Sequence, residues 1–246
     1  MHGEPYWVWI VIIFATVVIA IAQAAWARER RALWRALASE MGCQYSPNDP
    51  FGMRDALTQP LFHHGHSRRV SNVMYGHYQG VPMRCFDYRY TVGSGKNSHT
   101  YYFTCALVAS PVLFKPLVIR PEGIGDKIGH FLGVHDVQFE YDEFNRRFCV
   151  QCQDAKFAFD VVHSRTMEWL MRNGSMVIEA SGSSVLIHGT NGQAPMAALG
   201  GKVREMLDYG TEFVALLPEY LRQVDVAEVQ LPEARNTTEG LEWILR

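Results

Sequence analysis

The chain has 246 residues, of which 48% are hydrophobic, and a formal net charge of −2. That length is enough for one large or two small globular units. The near-neutral charge argues against a nucleic-acid-binding protein, which needs an excess of Lys and Arg to meet the phosphates. The five cysteines, at positions 43, 85, 105, 149 and 152, form an odd set in a chain much larger than disulfide-dependent secreted domains. They indicate free thiols in a reducing compartment.

The first element is an apolar run, YWVWIVIIFATVVIAIAQAA, with no charged residue over residues 6–25. A helix of that length reaches about 30 Å, the hydrocarbon thickness of a bilayer. We therefore predict a transmembrane helix over 6–26, preceded by an extracytoplasmic N-terminus over 1–5. A cleaved signal peptide is the alternative, because Ala20, Ala22 and Ala24 have the spacing of a cleavage site. The length of the run and the lack of a basic region before it favour the anchor.

The flanking residues predict the orientation of this helix. Only His2 and Glu4 carry titratable side chains before it, whereas four arginines follow it closely. The positive-inside rule then places the N-terminus outside and the main domain in the cytoplasm, and tryptophans near both ends fit the two interfacial belts. The predicted membrane-interface residues are Trp7, Trp9, Trp26, Arg28, Arg30, Arg31 and Arg35.

Residues 27–42 are good helix formers and predict a juxtamembrane helix that ends at Gly42. Leu33, Trp34 and Leu37 lie on one side of it and the arginines on the other. This helix is either a stalk or a segment lying in the headgroup layer. Residues 43–69 contain three prolines and predict a linker, with at most a short helix near 53–57.

The next region, 70–141, predicts a first α+β lobe. Apolar residues alternate with polar ones in 83–92 and 100–108, which is the pattern of half-buried strands, and 70–79 precedes them as a third. Short turns connect the three strands, so we expect an antiparallel meander. A fourth strand over 117–119, a short helix carrying Ile124, Ile128, Phe131 and Leu132, and a strand over 135–141 complete the lobe.

Residues 142–225 predict a second lobe. Its elements are a strand over 146–152, helices over 154–162 and 164–172, a hairpin of 176–180 with 185–188, and a long amphipathic helix from about Pro195 to Leu217. The fold class is therefore α+β, with antiparallel strands and packed helices. Both halves share a plan of strands followed by a helix, so two related lobes remain an alternative to one domain.

The last region, 226–246, predicts a C-terminal tail that ends in GLEWILR. Leu241, Trp243, Ile244 and Leu245 form an apolar plug after a polar linker. Such a segment fits a hydrophobic groove, either on this chain or on a partner. These four residues are the predicted partner-binding residues.

Three stretches carry a resemblance: FDYRYTVGSGKNSHTYYFT (86–104), VIRPEGIGDKIGHFLGVHDVQFE (118–140) and EFNRRFCVQCQD (143–154). They resemble a family of uncharacterised bacterial membrane-anchored proteins with one N-terminal helix, and 144–188 is also similar to a second family of unknown function. The resemblance implies an α+β domain at a bacterial plasma membrane. It implies no activity, cofactor or catalytic residue.

Two glycine-containing segments could suggest phosphate binding. The GSGK of 93–96 lacks the Walker A spacing, because Tyr90 stands where a glycine is needed and Asn97 where Ser or Thr is needed. We expect a hairpin turn there. The segment from Gly123 to Gly129 has the spacing G-x-G-x-x-x-G and carries Asp126 at the expected helix start, which favours a structural turn over nucleotide binding. If a small ligand does bind there, Arg120 and Lys127 are the nearest cations.

Two further clusters could suggest a metal. Cys149 and Cys152 have C-x-x-C spacing, but residues three apart on a strand point to opposite faces, so we expect buried thiols rather than a zinc or redox site. His63, His64 and His66 are followed by Arg68 and Arg69, which reads as a solvated loop, with loose metal binding or attraction to anionic lipid as alternatives. We predict no catalytic residue, no cofactor and no resident metal.

The leading functional hypothesis is a non-enzymatic membrane-anchored protein whose cytoplasmic domain binds a protein partner or a membrane complex. It rests on the anchor, on the apolar tail, and on the lack of a nucleophile elbow or an H-E-x-x-H helix in the sequence. One alternative is an enzyme or small-ligand-binding protein with a site between the lobes. A second is an anionic-lipid-sensing module that uses the His63 to Arg69 loop and the Arg28 to Arg35 helix.

Overall fold

A computed structural model describes residues 6–123, 135–189, 192–223 and 225–233. Its first element, α1, is one unbroken helix over Tyr6–Glu40. The apolar first part of α1 is exposed, with Phe14 at 70% and Ile21 at 64%, whereas Trp34 near its end is fully buried. Among the described residues, one helix is long and apolar enough to cross a membrane, and it is α1. The predicted span and juxtamembrane helix are thus one rod.

The rest of the described chain forms a seven-stranded sheet with helices. The strands are β1 (Gln44–Asn48), β2 (His66–Tyr78), β3 (Val81–Val92), β4 (His99–Pro121), β5 (His135–Asp136), β6 (Phe148–Cys152) and β7 (Val177–His188). The helices after α1 are α2 (Met53–Ala56), α3 (Asp142–Arg147), α4 (Ala155–Val161), α5 (Ser164–Asn173) and α6 (Leu199–Leu216). Every strand pair is antiparallel, which confirms the predicted α+β class with antiparallel strands.

The sheet joins the two regions that the sequence divides at residue 141. Its order is β1-β2-β3-β4-β6-β5, and β7 pairs along the other edge of β4. The 23 residues of β4 therefore contact strands from both halves, which makes one sheet rather than two lobes. The predicted strands over 100–108 and 117–119 are parts of this single strand, since its backbone continues to pair through Phe114.

The hairpin predicted from 176–180 and 185–188 is wrong for a related reason. Both halves of β7 pair with β4 instead of with each other. Irregular pairing of β4 and β7 near Gly182, whose φ is +57°, lets β7 bend there, and glycine adopts this left-handed conformation without strain. The turn-like composition of Ser181–Gly182–Ser183–Ser184 thus marks a bend in one strand.

Other expectations differ in smaller ways. The strand predicted over 135–141 covers only His135–Asp136, and α3 occupies Asp142–Arg147, where the acidic residues lie in the first turn and the arginines in the last. The linker contains β1 and α2 as well as a 3₁₀ turn at Pro60–His63. The helix expected to carry Ile124 to Leu132, and the tail residues Leu241 to Leu245, lie outside the described residues.

The sheet is covered on both faces. One face holds the end of α1 and helix α6, which pack on residues such as Cys85, Ala106 and Ile187. The other face is aromatic and lies under α2, the 3₁₀ turn at Pro60–His63 and the chain near Val229. The alternation predicted for β3 and β4 separates the two faces correctly, but the strands are buried on both faces rather than half-buried, because odd and even positions contribute to different cores. This arrangement brings residues 22–27 of α1 to the end of the sheet where β3 and β4 turn.

Candidate functional site

The arginine-rich part of α1 is seated in the domain by one buried ion pair. Arg30 Nε and Nη2 each lie 2.7 Å from an oxygen of Asp87 on β3, which is a bidentate contact. Trp34 Nε1 donates to the same carboxylate at 3.0 Å, and Asn72 Nδ2 donates at 2.9 Å. Both charged side chains are almost fully buried, so the pair is desolvated and tightly held. The last part of α1 therefore has a fixed position on the sheet.

One expectation changes here. Arg30 was predicted to lie at the membrane interface, but it is only 1% exposed, so it contacts the domain instead of the headgroups. Its partner Asp87 is buried, whereas Arg89 two residues further along β3 is exposed. The Arg30 guanidinium also donates to Ala194 O at 2.9 Å, which ties α1 to the segment before α6.

The other predicted interface residues stay exposed. Trp7 is 65% exposed, Trp9 56% and Trp26 44%. Arg28, Arg31 and Arg35 are exposed as well, and Arg35 lies over the ring of Tyr45 at 5.6 Å. These side chains are thus free to meet a membrane surface, which keeps the prediction open for six of the seven residues.

A cavity of about 1060 Å³ lies between α1 and the end of the sheet. On the α1 side it is lined by Ala22, Gln23, Trp26 and Ala27. On the sheet side its wall includes the rings of Tyr90, Tyr101 and Phe103, with Tyr90 stacked on Phe103 at 5.7 Å between centroids and on Tyr101 at 5.3 Å. Burial raises the pKa of Tyr90 to about 12, so its hydroxyl stays protonated. We call this cavity the aromatic chamber.

A second cavity, of about 340 Å³, adjoins the aromatic chamber. The two share lining residues Trp26, Ala27, Arg89, Tyr102 and Gln193. The second cavity is lined by four arginines and one acidic residue, namely Arg30, Arg31, Arg69, Arg89 and Asp87. Because Arg30 neutralises Asp87, the three exposed arginines give the cavity a net positive charge. We call it the basic pocket.

The basic pocket brings together residues that are far apart in the sequence. Arg31 comes from α1, Arg69 from the segment that follows the histidines, and Arg89 from β3. Sequence analysis singled out the first two groups separately but did not predict that they meet. The register of β2 and β3, which places Arg69 opposite Arg89, is what joins them.

A buried acid and histidine lie beside the aromatic chamber. Glu179 Oε1 is 3.3 Å from His188 Nε2, and Glu179 Oε2 accepts a bond from Leu61 N at 2.9 Å. His188 Nδ1 is 3.0 Å from Gly189 O, so that nitrogen carries a proton. The pair is 0% and 1% exposed at its side chains, while His188 also lines the chamber. No sequence pattern links these two residues.

The structure shows where the motifs considered in the sequence lie. The GSGK segment is a turn between β3 and β4, where Gly93 has φ +81° and a Cβ would meet Asn97 O at 2.4 Å. All five cysteines are free thiols. Burial raises the pKa of Cys149 to about 11 and that of Cys152 above its usual range. Among the described residues, no group of three or more His, Cys, Asp or Glu could hold a metal ion.

The histidine loop is more ordered than expected. His66 begins β2 and its Nε2 lies 2.8 Å from Gly93 O, and Arg68 donates to Phe62 O. Burial lowers the pKa of His64, whose ring contacts Tyr90 at 6.0 Å between centroids. These contacts fix His64 and Arg68 against the aromatic core, while His63, His66 and Arg69 are exposed as expected for a solvated loop.

Comparisons with known proteins bear on the fold. No protein-family model and no curated protein matches the sequence. Among solved structures, the chain is similar to the crystal structure of the mycobacterial trehalose monomycolate transport factor A, TtfA. The TM-score is 0.58 with 12% sequence identity, and the alignment covers 80% of this chain and 99% of that chain. The similarity supports a shared α+β architecture. In this chain the α+β domain follows the apolar N-terminal helix α1.

Proposed function

We propose that this chain is a membrane-anchored, non-enzymatic component of a transport-related membrane assembly, and that its cytoplasmic domain binds a protein partner. The observation that carries the proposal is the seating of α1. Trp26 and Arg30 are four residues apart, about 6 Å along a helix, so the buried pair with Asp87 lies within about one turn of the interfacial tryptophan. A domain fixed so close to a bilayer has one face directed at the membrane and its neighbours.

The similarity to a transport factor supports the same reading, since that structure has a comparable fold over nearly its whole length. At 12% identity the comparison supports a shared fold alone, so the transport role is our proposal. The orientation is also a proposal. Arg28, Arg31 and Arg35 follow the apolar segment and favour a cytoplasmic domain by the positive-inside rule, at a bacterial plasma membrane.

The tail is the proposed contact with the partner. The described beginning of the tail lies along the aromatic face of the sheet, where Leu231 is buried and Arg84 Nη2 donates to Leu231 O at 3.1 Å. The chain leaves this anchorage and continues to the apolar residues Leu241, Trp243, Ile244 and Leu245. We propose that these four side chains insert into a groove on the partner.

The experiment is cross-linking in intact cells, followed by purification of the full chain in mild detergent. We expect a membrane protein to be recovered in stoichiometric amount. The double variant Trp243→Ser, Ile244→Ser is expected to lose that protein, whereas Leu113→Ser, which changes an exposed apolar residue elsewhere, is expected to keep it. A monomeric chain that shows catalytic turnover in a broad hydrolase screen would contradict the proposal.

Topology is tested with reporters at the C-terminus. A fused fluorescent protein is expected to mature and a fused alkaline phosphatase to stay inactive, because the domain is in the cytoplasm. Replacing Arg28, Arg31 and Arg35 by Gln is expected to raise the inverted fraction, since these charges set the orientation. An active phosphatase fusion on the unaltered chain would contradict the proposed orientation.

A second candidate function has a specific observation in its favour. The sequence leaves a small-ligand site open as an alternative, and a cavity of about 1060 Å³ with an adjoining basic pocket is of the size and chemistry that ligands use. The site does not lie between two lobes, because one sheet spans both regions. It lies where the membrane helix meets the sheet.

A further inference from the structure

We propose that the aromatic chamber and the basic pocket together bind one anionic amphiphile from the membrane leaflet next to the domain. Its apolar chain would occupy the chamber, and its phosphate or carboxylate head group would contact Arg31, Arg69 and Arg89. The proposal rests on the assignment of α1 as a membrane anchor, and it adds a ligand class to the protein-binding role proposed above.

The position of the chamber is the first argument. Ala22, Gln23 and Trp26 line it, and they occupy the last turn and a half of the apolar part of α1. A helix rises about 1.5 Å per residue, so about 30 Å of apolar helix precede Trp26. An indole also prefers the interface between hydrocarbon and water. The chamber therefore opens at the level of the lipid head groups.

The lining of the chamber is the second argument. Its volume of about 1060 Å³ lies at the upper end of the range for ligand pockets, roughly 300–1000 Å³. Stacked rings of Tyr90, Tyr101 and Phe103 form a continuous apolar wall. The chamber is open on one side and its lining is mainly apolar, so an acyl chain that enters it gains the free energy of leaving water.

The charge of the adjoining pocket is the third argument. Arg69 and Arg89 are exposed, lie opposite each other on β2 and β3, and form no ion pair with the described acidic residues. Arg31 approaches the same pocket from α1, and its Nε is bonded to Ala27 O, which leaves the two terminal nitrogens for another acceptor. Guanidinium groups bind phosphate and carboxylate oxygens in pairs of hydrogen bonds. Charge complementarity thus selects an anionic head group.

Adjacency of the two cavities joins these arguments. Trp26, Ala27, Arg89, Tyr102 and Gln193 line both of them, so the apolar and basic parts lie side by side. One ligand with an apolar end and an anionic end matches that order. The apolar chamber lies on the side that faces the bilayer, so a lipid could enter it from the bilayer by a short lateral movement.

The experiment uses the full chain, purified in mild detergent and freed of lipid. It is titrated with short-chain phosphatidylglycerol and with phosphatidylcholine of the same chain length, and native mass spectrometry counts bound lipids. We expect one phosphatidylglycerol per chain, bound at least tenfold more tightly than phosphatidylcholine. Arg69→Gln and Arg89→Gln are each expected to weaken the binding of phosphatidylglycerol about tenfold, because each variant loses a hydrogen bond to a charged group.

Matched controls separate a built site from general attraction. Arg28→Gln removes the same charge from an exposed position outside both cavities and is expected to leave the affinity unchanged. Ala27→Phe fills the junction of the cavities and is expected to weaken binding at least tenfold, whereas Ala36→Phe, at an exposed position on the same helix, is expected to have no effect. Thermal unfolding of each variant shows that the fold is retained.

Several outcomes would overturn the proposal. They are equal binding of both lipids, lipid binding that none of the cavity variants changes, and saturation of the pocket by inorganic phosphate without lipid binding. Loss of a cross-linked protein from the arginine variants with lipid binding intact would assign the cleft to a protein partner instead. Extraction of the unaltered chain by alkaline carbonate would contradict the anchor, and with it the proposed function. A retained anchor without lipid binding would contradict this inference alone.

Discussion

Arg30 and Asp87 lie 57 positions apart in the sequence, and two 2.7 Å contacts join them in the core beneath α1. The carboxylate of Asp87 also accepts bonds from Trp34, Asn72 and Thr104. A buried charge costs little only while its partners remain, because the desolvation of the carboxylate is offset by those five contacts. The junction between α1 and the sheet thus depends on this one side chain.

The first prediction concerns that junction. Asp87→Asn leaves the Arg30 guanidinium buried without a counter-charge and is expected to lower the free energy of unfolding by about 3–5 kcal/mol. Replacing both residues, as Arg30→Met with Asp87→Leu, is expected to recover much of this loss because no buried charge then remains. Thermal and denaturant unfolding of the purified chain measure both effects.

The control is the exposed pair of Arg54 and Asp55, whose side chains are more than half exposed. Arg54→Gln is expected to leave the unfolding midpoint unchanged, because solvent screens exposed pairs. A loss for Asp87→Asn no larger than that of the control would contradict the assigned role of the buried pair.

The second prediction concerns the hydroxyl of Tyr88. It is buried and has no hydrogen-bond partner among the described residues, and burial raises the pKa of Tyr88 well above its usual range. Tyr88→Phe is therefore expected to leave stability unchanged or to raise it by about 1 kcal/mol. Tyr45→Phe removes a hydroxyl that donates to Asn72 at 3.0 Å, and it is expected to lower stability by about 1 kcal/mol. Equal losses in both variants would contradict this prediction.

The third prediction is the dependence of stability on alkaline pH. Burial raises the pKa of Tyr90 to about 12, whereas an unfolded tyrosine titrates near 10. The folded chain therefore holds more protons than the unfolded chain above pH 10, so the free energy of unfolding falls as the pH rises from about 10 through 12. Tyr90→Phe is expected to reduce that slope. An unchanged slope in denaturant titrations at pH 9 to 12 would show that Tyr90 is not the cause.

The fourth prediction concerns the C-x-x-C segment. Cys149 is half-buried, its pKa is raised to about 11 by burial, and its Sγ is 3.7 Å from Asp136 Oδ1. The thiolate is the reactive form, so alkylation of Cys149 at pH 8 is expected to be roughly 100-fold slower than that of a free cysteine. Peptide mapping after iodoacetamide treatment measures this rate, with urea-unfolded protein as the control. Rapid native alkylation would favour a redox or metal role over an inert thiol.

Local patterns predicted much of the fold. The helix α1 follows from composition alone, and the alternation in β3 and β4 gave the correct faces because each strand separates two cores. The helix α4 lies within the range predicted as 154–162, and the carboxylate of Asp154 accepts a bond from Phe157 N at its start. In these segments the determinants are neighbours in sequence, so a short window contains them.

The site could not be predicted in the same way. Arg30 stands in a row of arginines that resembles a solvated surface, and its burial depends on a distant carboxylate. The basic pocket depends on the register that places Arg69 opposite Arg89. The single sheet depends on long-range pairing of β4 with β7, which a period of two does not specify. Each of these relationships is a tertiary one.

The last prediction tests the bend of β7. Glu179 and His188 are nine positions apart on one strand, about 30 Å in an extended chain, yet their side chains meet at 3.3 Å. Their contact, and the bond from Leu61 N to Glu179, therefore hold the two arms of a sharply bent strand together. Glu179→Ala leaves Leu61 N and a nitrogen of His188 buried without their partner. We expect this to lower the free energy of unfolding by about 1–3 kcal/mol for each group.

Glu179→Gln keeps an oxygen for Leu61 N and a polar amide of the same size beside His188 Nε2. We therefore expect Glu179→Gln to lower the free energy of unfolding much less than Glu179→Ala does. Glu205→Ala, at an exposed position paired with Lys202, is the control and is expected to stay within about 0.5 kcal/mol of the unaltered chain. Equal losses for Glu179→Ala and Glu205→Ala would mean that the bend is held by β4 pairing alone. A large loss for Ala that Gln restores would instead assign the bend to this buried acceptor, and with it the position of His188 at the wall of the aromatic chamber.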